Sequence, residues 1–208
     1  EAARRAREQG FLWIDARFAA AEGPLVSLVR AVRRVVSSGE SAVTGAFGPD
    51  GRQVETLLRG GEIPTLESPQ QVLWMLQNML QGVARTRPLV LSVDDAQNAS
   101  EEDVGLLEDL ARRVHGQPFT LLVATRPDAR VTARLSDAKR LDLRGLDEEA
   151  LFAFLEDRLG ATLPGNVVAR IHARTEGNPL HAVELVRHLE GTGALVRRGD
   201  RLVTTPSW

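Results

Sequence analysis

The spacing of apolar residues predicts alternating strands and helices over the first two thirds of the chain. Short, continuously apolar runs at residues 11–14, 88–93 and 119–124 predict buried strands, and a further strand is expected at residues 139–143. Apolar residues spaced three and four apart predict the helices; these are expected near residues 1–8, 24–36, 53–58, 68–85 and 101–114. Strands that alternate with helices indicate an α/β fold, a parallel sheet wrapped by helices.

Proline and serine mark the starts of three of these helices. Pro24 and Pro69, which follows Ser68, stand where a helix begins and where a backbone N–H is not needed. Ser100 precedes Asp103 by three residues, a spacing that caps a helix start. We therefore expect helices to begin at these positions.

After Gly145 the pattern changes to helices alone, at residues 148–159, 166–174 and 179–189. Two short apolar runs then flank Gly199-Asp200, a pair typical of a β-hairpin turn. We expect three regions: a core at 1–144, a helical subdomain at 145–190 and a hairpin at 191–208.

The composition of the chain narrows the classes of function that are possible. Of the 208 residues, 43% are hydrophobic and 26% are charged, which is typical of a globular protein in water, and no apolar run approaches the ~20 residues of a membrane helix. Cysteine is absent, which excludes disulfides and thiolate metal sites. The net charge of −2 argues against a broad nucleic-acid surface. With no secretory signal recognised, we expect a cytoplasmic protein without membrane partners.

Two adjacent carboxylates, Asp94 and Asp95, end the predicted strand at 88–93. Ligands of open parallel sheets bind at the carboxyl ends of the strands. An acidic pair there can hold a Mg²⁺-bound water and polarise an attacking water. The same pair also fits a purely structural interpretation, in which an aspartate caps the following loop or helix.

The run at 88–97, PLVLSVDDAQ, resembles the Walker B strand of STAND-type ATPases. This branch of the AAA-like P-loop proteins includes the ATP-binding modules of large LuxR-type bacterial regulators. Members commonly carry an Asp-Asp pair, a His or Gln two residues later, and then Trp-Ala-Asp. This chain has Gln97 but Asn98-Ala99-Ser100 in place of Trp-Ala-Asp. The resemblance implies that Asp94 binds the metal ion and that Asp95 is catalytic.

Two later segments extend the resemblance. The run at 119–127, FTLLVATRP, looks like the sensor 1 strand, which implies a catalytic Arg126 beside the γ-phosphate; a solvated arginine opening a loop is the alternative. The run at 175–180, TEGNPL, is similar to the Gly-x-Pro motif of the helical lid, which implies that Gly177, Asn178 and Pro179 bind the nucleotide near its adenine. A helix end followed by a capped helix start explains the same three residues without a ligand.

The resemblance covers nearly the whole chain, from about residue 3 to 203. It implies ATP and Mg²⁺ as cofactors, ATP and ADP as ligands, and a signal-transducing switch that controls a downstream effector such as a transcriptional regulator. Region 145–190 would be the lid, and the hairpin would be the start of a winged-helix-like region. Nucleic acid would be contacted only through an effector domain outside this chain, and an oligomer would be compatible with the family.

One motif of the family is missing. A Walker A loop, Gly-x4-Gly-Lys-Ser/Thr, cradles phosphates with backbone amides and a lysine. The only lysine is Lys139, between Ala138 and Arg140, so this chain has no such loop. By family order the loop would precede Glu1, and we expect a truncated core rather than one that has lost the loop. The alternative is a non-catalytic scaffold for protein or DNA, with Arg197, Arg198 and Arg201 as candidate phosphate contacts.

The family order of strands, 5-1-4-3-2, gives an expectation for the sheet. The strands at 11–14, 88–93 and 119–124 should form one block. The strand at 139–143 should not pair with that block directly, because the strand that leads into the Walker A loop separates them.

This chain alone is expected to bind Mg·ATP weakly or not at all, and not to hydrolyse it. Backbone amides of the phosphate-binding loop normally supply much of the affinity, and this sequence contains no replacement for them. Titration calorimetry with Mg·ATP measures the affinity directly. Tight binding would contradict the assignment of the missing loop.

Overall fold

The computed structural model describes residues 1–20, 22–23, 25–37, 69–113 and 116–205. The predicted helix at 53–58 and the predicted helix starts at Pro24 and Ser68 lie outside these residues. Internal contacts divide the chain into two units, residues 1–138 and 139–208. None of the described helices is long and apolar enough to cross a membrane.

The first unit alternates helices and strands as predicted. Its elements are α1 (Ala2–Glu8), β1 (Leu12–Arg17), α2 (Val26–Ser37), α3 (Pro69–Thr86), β2 (Leu89–Asp94), a 3-10 turn (Ala96–Asn98), α4 (Glu101–Arg113), β3 (Phe119–Val123) and α5 (Ala129–Arg134). The three strands form one parallel sheet in the order β1-β2-β3. The predicted α/β class and the predicted block of three strands are therefore confirmed.

One face of this sheet is buried. The register aligns Leu12 with Leu89 and Leu89 with Phe119, and all three side chains are less than 10% exposed. Two residues along, Ile14 and Leu91 are each 1% exposed. Apolar side chains of α2, α3 and α4 join them in one core, among them Leu28, Val32, Leu80, Val83 and Leu107.

Asp103 fastens α4 to the segment that precedes α2. Its side chain is 3% exposed, and its Oδ1 accepts the Leu25 N–H at 2.8 Å. Its Oδ2 accepts the backbone N–H and the hydroxyl of Ser100, while the Ser100 Oγ accepts the Asp103 N–H at 3.1 Å. This reciprocal pair confirms the predicted cap of α4, and it satisfies a buried carboxylate that would otherwise be costly.

The second face of the sheet is open over β3. Leu122 projects from it and is 47% exposed, and Thr120 on the same face is also exposed. No strand in the described part of the chain pairs with the outer edge of β3. Parallel strands are normally covered on both faces, and among the elements that the structure describes none covers this face of β3.

The predicted strand at 139–143 is wrong, because those residues form no strand. Leu141 and Leu143 are 73% and 97% exposed, and Arg140 pairs with Asp142 at 2.7 Å. A strand needs a hydrogen-bonded neighbour, and none of the described strands supplies one here.

The second unit contains three helices and a hairpin, as predicted. Its elements are α6 (Glu148–Leu159), α7 (Gly165–Thr175), α8 (Pro179–Gly191), β4 (Leu195–Arg198) and β5 (Arg201–Thr204). The two strands are antiparallel, and Gly199 in their turn has φ +64°. One hydrophobic core includes Leu151 of α6, Ile171 of α7, Val186 of α8 and Leu202 of β5. Helices and hairpin are thus one folded unit.

The two faces of the sheet should respond differently to the same truncation. We expect Leu91→Ala to lower the free energy of unfolding by about 2–5 kcal/mol, because it leaves a cavity in the core. Leu122→Ala should lower it by less than about 1 kcal/mol, because that side chain is already half exposed. Urea unfolding of both variants measures the difference. Equal losses would mean that the face bearing Leu122 is covered.

Candidate functional site

The carboxyl ends of β1, β2 and β3 meet at one edge of the sheet. The parallel register sets Arg17 at the end of β1 level with Asp94 at the end of β2, and β3 ends one residue short of that level, with Val123 beside Val93. Arg126 follows β3 by three residues. This edge is where parallel α/β sheets bind their ligands, and it carries the predicted residues of the first unit.

Asp95 sits in a left-handed backbone conformation, with φ +54°. Aspartate tolerates this region better than most residues, because its short polar side chain bonds locally. Its backbone N–H donates to Asp94 Oδ1 at 2.9 Å, and its carbonyl accepts the Asn98 N–H at 2.9 Å. The next N–H, of Ala96, donates to the carbonyl of Ala124 at 3.1 Å, so the turn is tied to the end of β3. Backbone hydrogen bonds therefore hold Asp95 in this position.

Gln97 links the two strand ends. Its Nε2 donates to Asp95 Oδ1 at 3.0 Å, and its Oε1 accepts the backbone N–H of Arg126 at 3.0 Å. A carboxylate accepts only and an N–H donates only, so both ends of the amide are assigned by their partners. Gln97 thereby brings Asp95 and Arg126, which belong to different predicted motifs, into one hydrogen-bonded group.

Arg17 is a site residue that sequence reasoning missed. Its Nε donates to Asp95 Oδ2 at 2.7 Å in an ion pair between residues 78 positions apart. The apolar run predicted a strand only to residue 14, whereas β1 continues to Arg17. Two-residue alternation from Trp13 through Asp15 to Arg17 is the signal that could have extended the strand and placed this arginine beside β2.

The hydrogen bond from Arg17 lowers the pKa of Asp95 below that of an ordinary carboxyl group, and the bond from Gln97 lowers it further. Partial burial opposes this shift, while the positive charges of Arg17 and Arg126 add to it. The same pairing raises the pKa of Arg17. Asp95 is therefore ionised at neutral pH, as a hydrogen-bond or proton acceptor must be.

Asp94 is the residue here that fits a magnesium ion. Its side chain is exposed, and its second oxygen accepts no hydrogen bond from the described residues. No group of three or more His, Cys, Asp or Glu side chains in the described part of the chain could hold a metal ion. Mg²⁺ commonly binds through one or two carboxylates together with substrate phosphates and water, which one free carboxylate oxygen permits.

Arg126 presents a cation at the same edge. Arg126 is exposed, and its backbone N–H donates to Gln97 Oε1. Within the described residues its guanidinium group makes no hydrogen bond or ion pair. Its charge nevertheless reaches Asp95, where it contributes to the lowered pKa. The guanidinium is thus available to an anionic ligand beside Asp95.

The predicted nucleotide-binding residues of the second unit all have structural roles. Gly177 has φ +73°, and a Cβ there would overlap the carbonyl oxygen of Leu146, whose N–H donates to the Gly177 carbonyl at 2.9 Å. Asn178 Oδ1 accepts the N–H groups of Leu180 and of the residue after it, at 3.0 and 3.2 Å. Pro179 is the first residue of α8. The turn between α7 and α8 accounts for these residues without a ligand.

Comparison with protein-family models gives no match, and comparison with curated protein sequences gives none either. The resemblance to STAND-type ATPases therefore stays a prediction carried by this chain's own residues. Of the predicted site residues, Asp94, Asp95 and Arg126 lie at one edge of the first unit. Gly177, Asn178 and Pro179 form the α7–α8 turn of the second unit.

Replacing Arg17 by glutamine should raise the pKa of Asp95, because the largest influence that lowers it is removed. The folded-state pKa lies below the unfolded value, so the pair stabilises the protein at neutral pH. That stabilisation is lost as the pH falls through the folded-state pKa, and wild type and variant should converge in acid. A ¹³C NMR titration of the aspartate carboxyl groups measures the shift.

Arg112→Gln is the matched control, because Arg112 pairs with Glu108 and Asp109 on α4, away from this edge. It should leave the Asp95 titration unchanged. An unchanged titration in Arg17→Gln would show that the ion pair does not persist in solution.

Proposed function

We propose that this chain is part of an ATP-dependent regulatory switch of the STAND type, with the nucleotide phosphates at the carboxyl ends of β2 and β3. One observation carries the proposal. Asp94, Asp95 and Arg126, singled out by two separate sequence motifs, lie at one sheet edge and are connected through Gln97. A chance resemblance in either motif would not require such a connection.

Each of the three residues has a role in this proposal. Asp94 would hold Mg²⁺, which when bound neutralises charge on the phosphate oxygens. Asp95 would accept a proton from the attacking water, since it is ionised and acceptor-only. Arg126 would stabilise negative charge that develops on the transferred phosphate.

The state of Asp95 supports slow, regulated hydrolysis. Both of its carboxylate oxygens are engaged, one by Arg17 and one by Gln97. Each oxygen keeps a second lone pair, but both bonds lower the basicity of the carboxylate, so a water molecule would give its proton to Asp95 more readily once one of these bonds opens. Arg17 is 74% exposed and is the partner freer to move, so opening of this ion pair is the step we propose as the control point.

The open edge of β3 supports a missing phosphate-binding strand. An additional parallel strand there would pair with the N–H and C=O groups of β3 that no described strand reaches, and would lie beside the exposed Leu122. We propose that this strand leads into a Walker A loop and so supplies the phosphate cradle. Binding of ATP and its replacement by ADP would then be passed through α6–α8, acting as a lid, to a downstream effector such as a transcriptional regulator.

A non-catalytic scaffold is the second candidate, and one observation favours it. Both carboxylate oxygens of Asp95 accept a hydrogen bond, one from Arg17 and one from Gln97, as they would in a purely structural cluster. The coding sequence upstream of Glu1 separates the two candidates. A Gly-x4-Gly-Lys-Ser/Thr loop there supports the switch, and its absence supports the scaffold.

In the full-length protein with such a loop, Asp95→Asn should lower ATP turnover by about 10²–10⁴-fold and leave ATP binding unchanged, because the proton acceptor is lost. Asp94→Asn should impair Mg²⁺-dependent hydrolysis, because a ligand of the metal ion is lost. Phosphate release and calorimetry measure the two effects. Asp109→Asn, on the exposed side of α4, is the matched control and should match wild type. Wild-type turnover in both site variants would mean that the acidic pair is structural.

A further inference from the structure

A cleft of about 460 Å³ opens at the carboxyl end of β1, on the side of α2. Three arginines line it: Arg17 from β1, and Arg30 and Arg34 from α2. Residues four apart lie on the same face of a helix, so α2 turns Arg30 and Arg34, two of its three arginines, towards the cleft. The volume falls within the range of small-molecule sites.

The cleft carries more positive than negative charge. Its lining includes three guanidinium groups and one carboxylate, that of Asp95. Arg17 pairs with Asp95 and Arg30 pairs with Glu22, both at 2.7 Å. Arg34 donates to the backbone carbonyl of Asp15 at 2.7 Å and has no carboxylate partner among the described residues. Positive charge therefore exceeds negative charge even when Glu22 is counted.

The guanidinium groups have donors to spare. A guanidinium carries five N–H groups, and each of these three arginines uses only one nitrogen in the bonds above. Arg17 and Arg30 are 74% and 51% exposed at their side chains, so a ligand can reach them. Like charges four residues apart on a helix also repel each other, and an anion between Arg30 and Arg34 would remove that cost.

We infer that this cleft binds a small molecule through a phosphate group held by Arg17, Arg30 and Arg34. Guanidinium groups bind phosphate through paired, charge-assisted hydrogen bonds, and several guanidinium groups around one cleft suit its multiple charges. Arg30 and Arg34 take no part in the proposed nucleotide site, whose residues follow β2 and β3. The cleft is therefore a second anion site, which adjoins the proposed nucleotide site through the Arg17–Asp95 ion pair.

The test compares this chain with the double variant Arg30→Gln/Arg34→Gln, which leaves the Arg17–Asp95 pair intact. The probes are inorganic phosphate and glycerol 3-phosphate, at ionic strength held constant with sodium chloride, and binding is measured by calorimetry and by NMR shifts of the α2 amides. We expect the double variant to weaken binding at least tenfold. Arg112→Gln/Arg113→Gln on α4 is the matched control and should bind like wild type. If the double variant does not fold, Arg34→Gln replaces it, with the same expectation of weaker binding.

The outcomes separate this inference from the proposed function. Tighter binding of glycerol 3-phosphate than of phosphate would identify an organic phosphate as the ligand, and equal binding would identify the free ion. Equal weakening in the α2 and α4 double variants would mean that the chain attracts anions only non-specifically, which overturns the inference. Loss of binding in Arg126→Gln but not in Arg30→Gln/Arg34→Gln would also overturn it, while supporting a phosphate site at the ends of β2 and β3.

Discussion

The parallel hydrogen bonding of β2 to a strand on each side is the constraint on which the candidate site depends. Because all three strands run in the same direction, residues far apart in the chain reach one edge of the sheet. Arg17, Asp95 and Arg126 could not meet if any of the strands ran the other way. Gln97 then converts this proximity into specific contacts, since its amide needs both an acceptor and a donor. The geometry of the candidate site is a consequence of sheet topology.

Much of the fold follows from local pattern. The apolar runs at 88–93 and 119–124 predicted β2 and β3, and the spacing in the last third predicted α6, α7 and α8. The strand predicted at 139–143 failed, although its composition is suitable, because a strand forms only with a neighbour to pair with. Strand pairing depends on the whole sheet and cannot be predicted from residues 139–143 alone.

The sequence predicted the site residues that belong to short motifs. The residue whose contact depends on strand register was missed. Asp94 and Asp95 stand at the end of an obvious strand, so their location at the sheet edge could be predicted. Arg17 lies beyond the apolar part of β1, and its contact with Asp95 depends on strand length and on parallel alignment. Gly177 gives a different lesson, because its close approach to Leu146 would require glycine in any protein with this turn. The motif around it is therefore weak evidence for a nucleotide.

The outer edge of β3 also affects how copies of the molecule associate with one another. No strand in the described part of the chain pairs with this edge, and unpaired peptide groups beside an apolar side chain are a template for any extended segment, including the same strand of another copy. At high concentration such edges join molecules into dimers or open-ended chains, whereas a cognate strand seals them. Under the proposed function, the strand that leads into the phosphate-binding loop would therefore also protect the molecule from self-association.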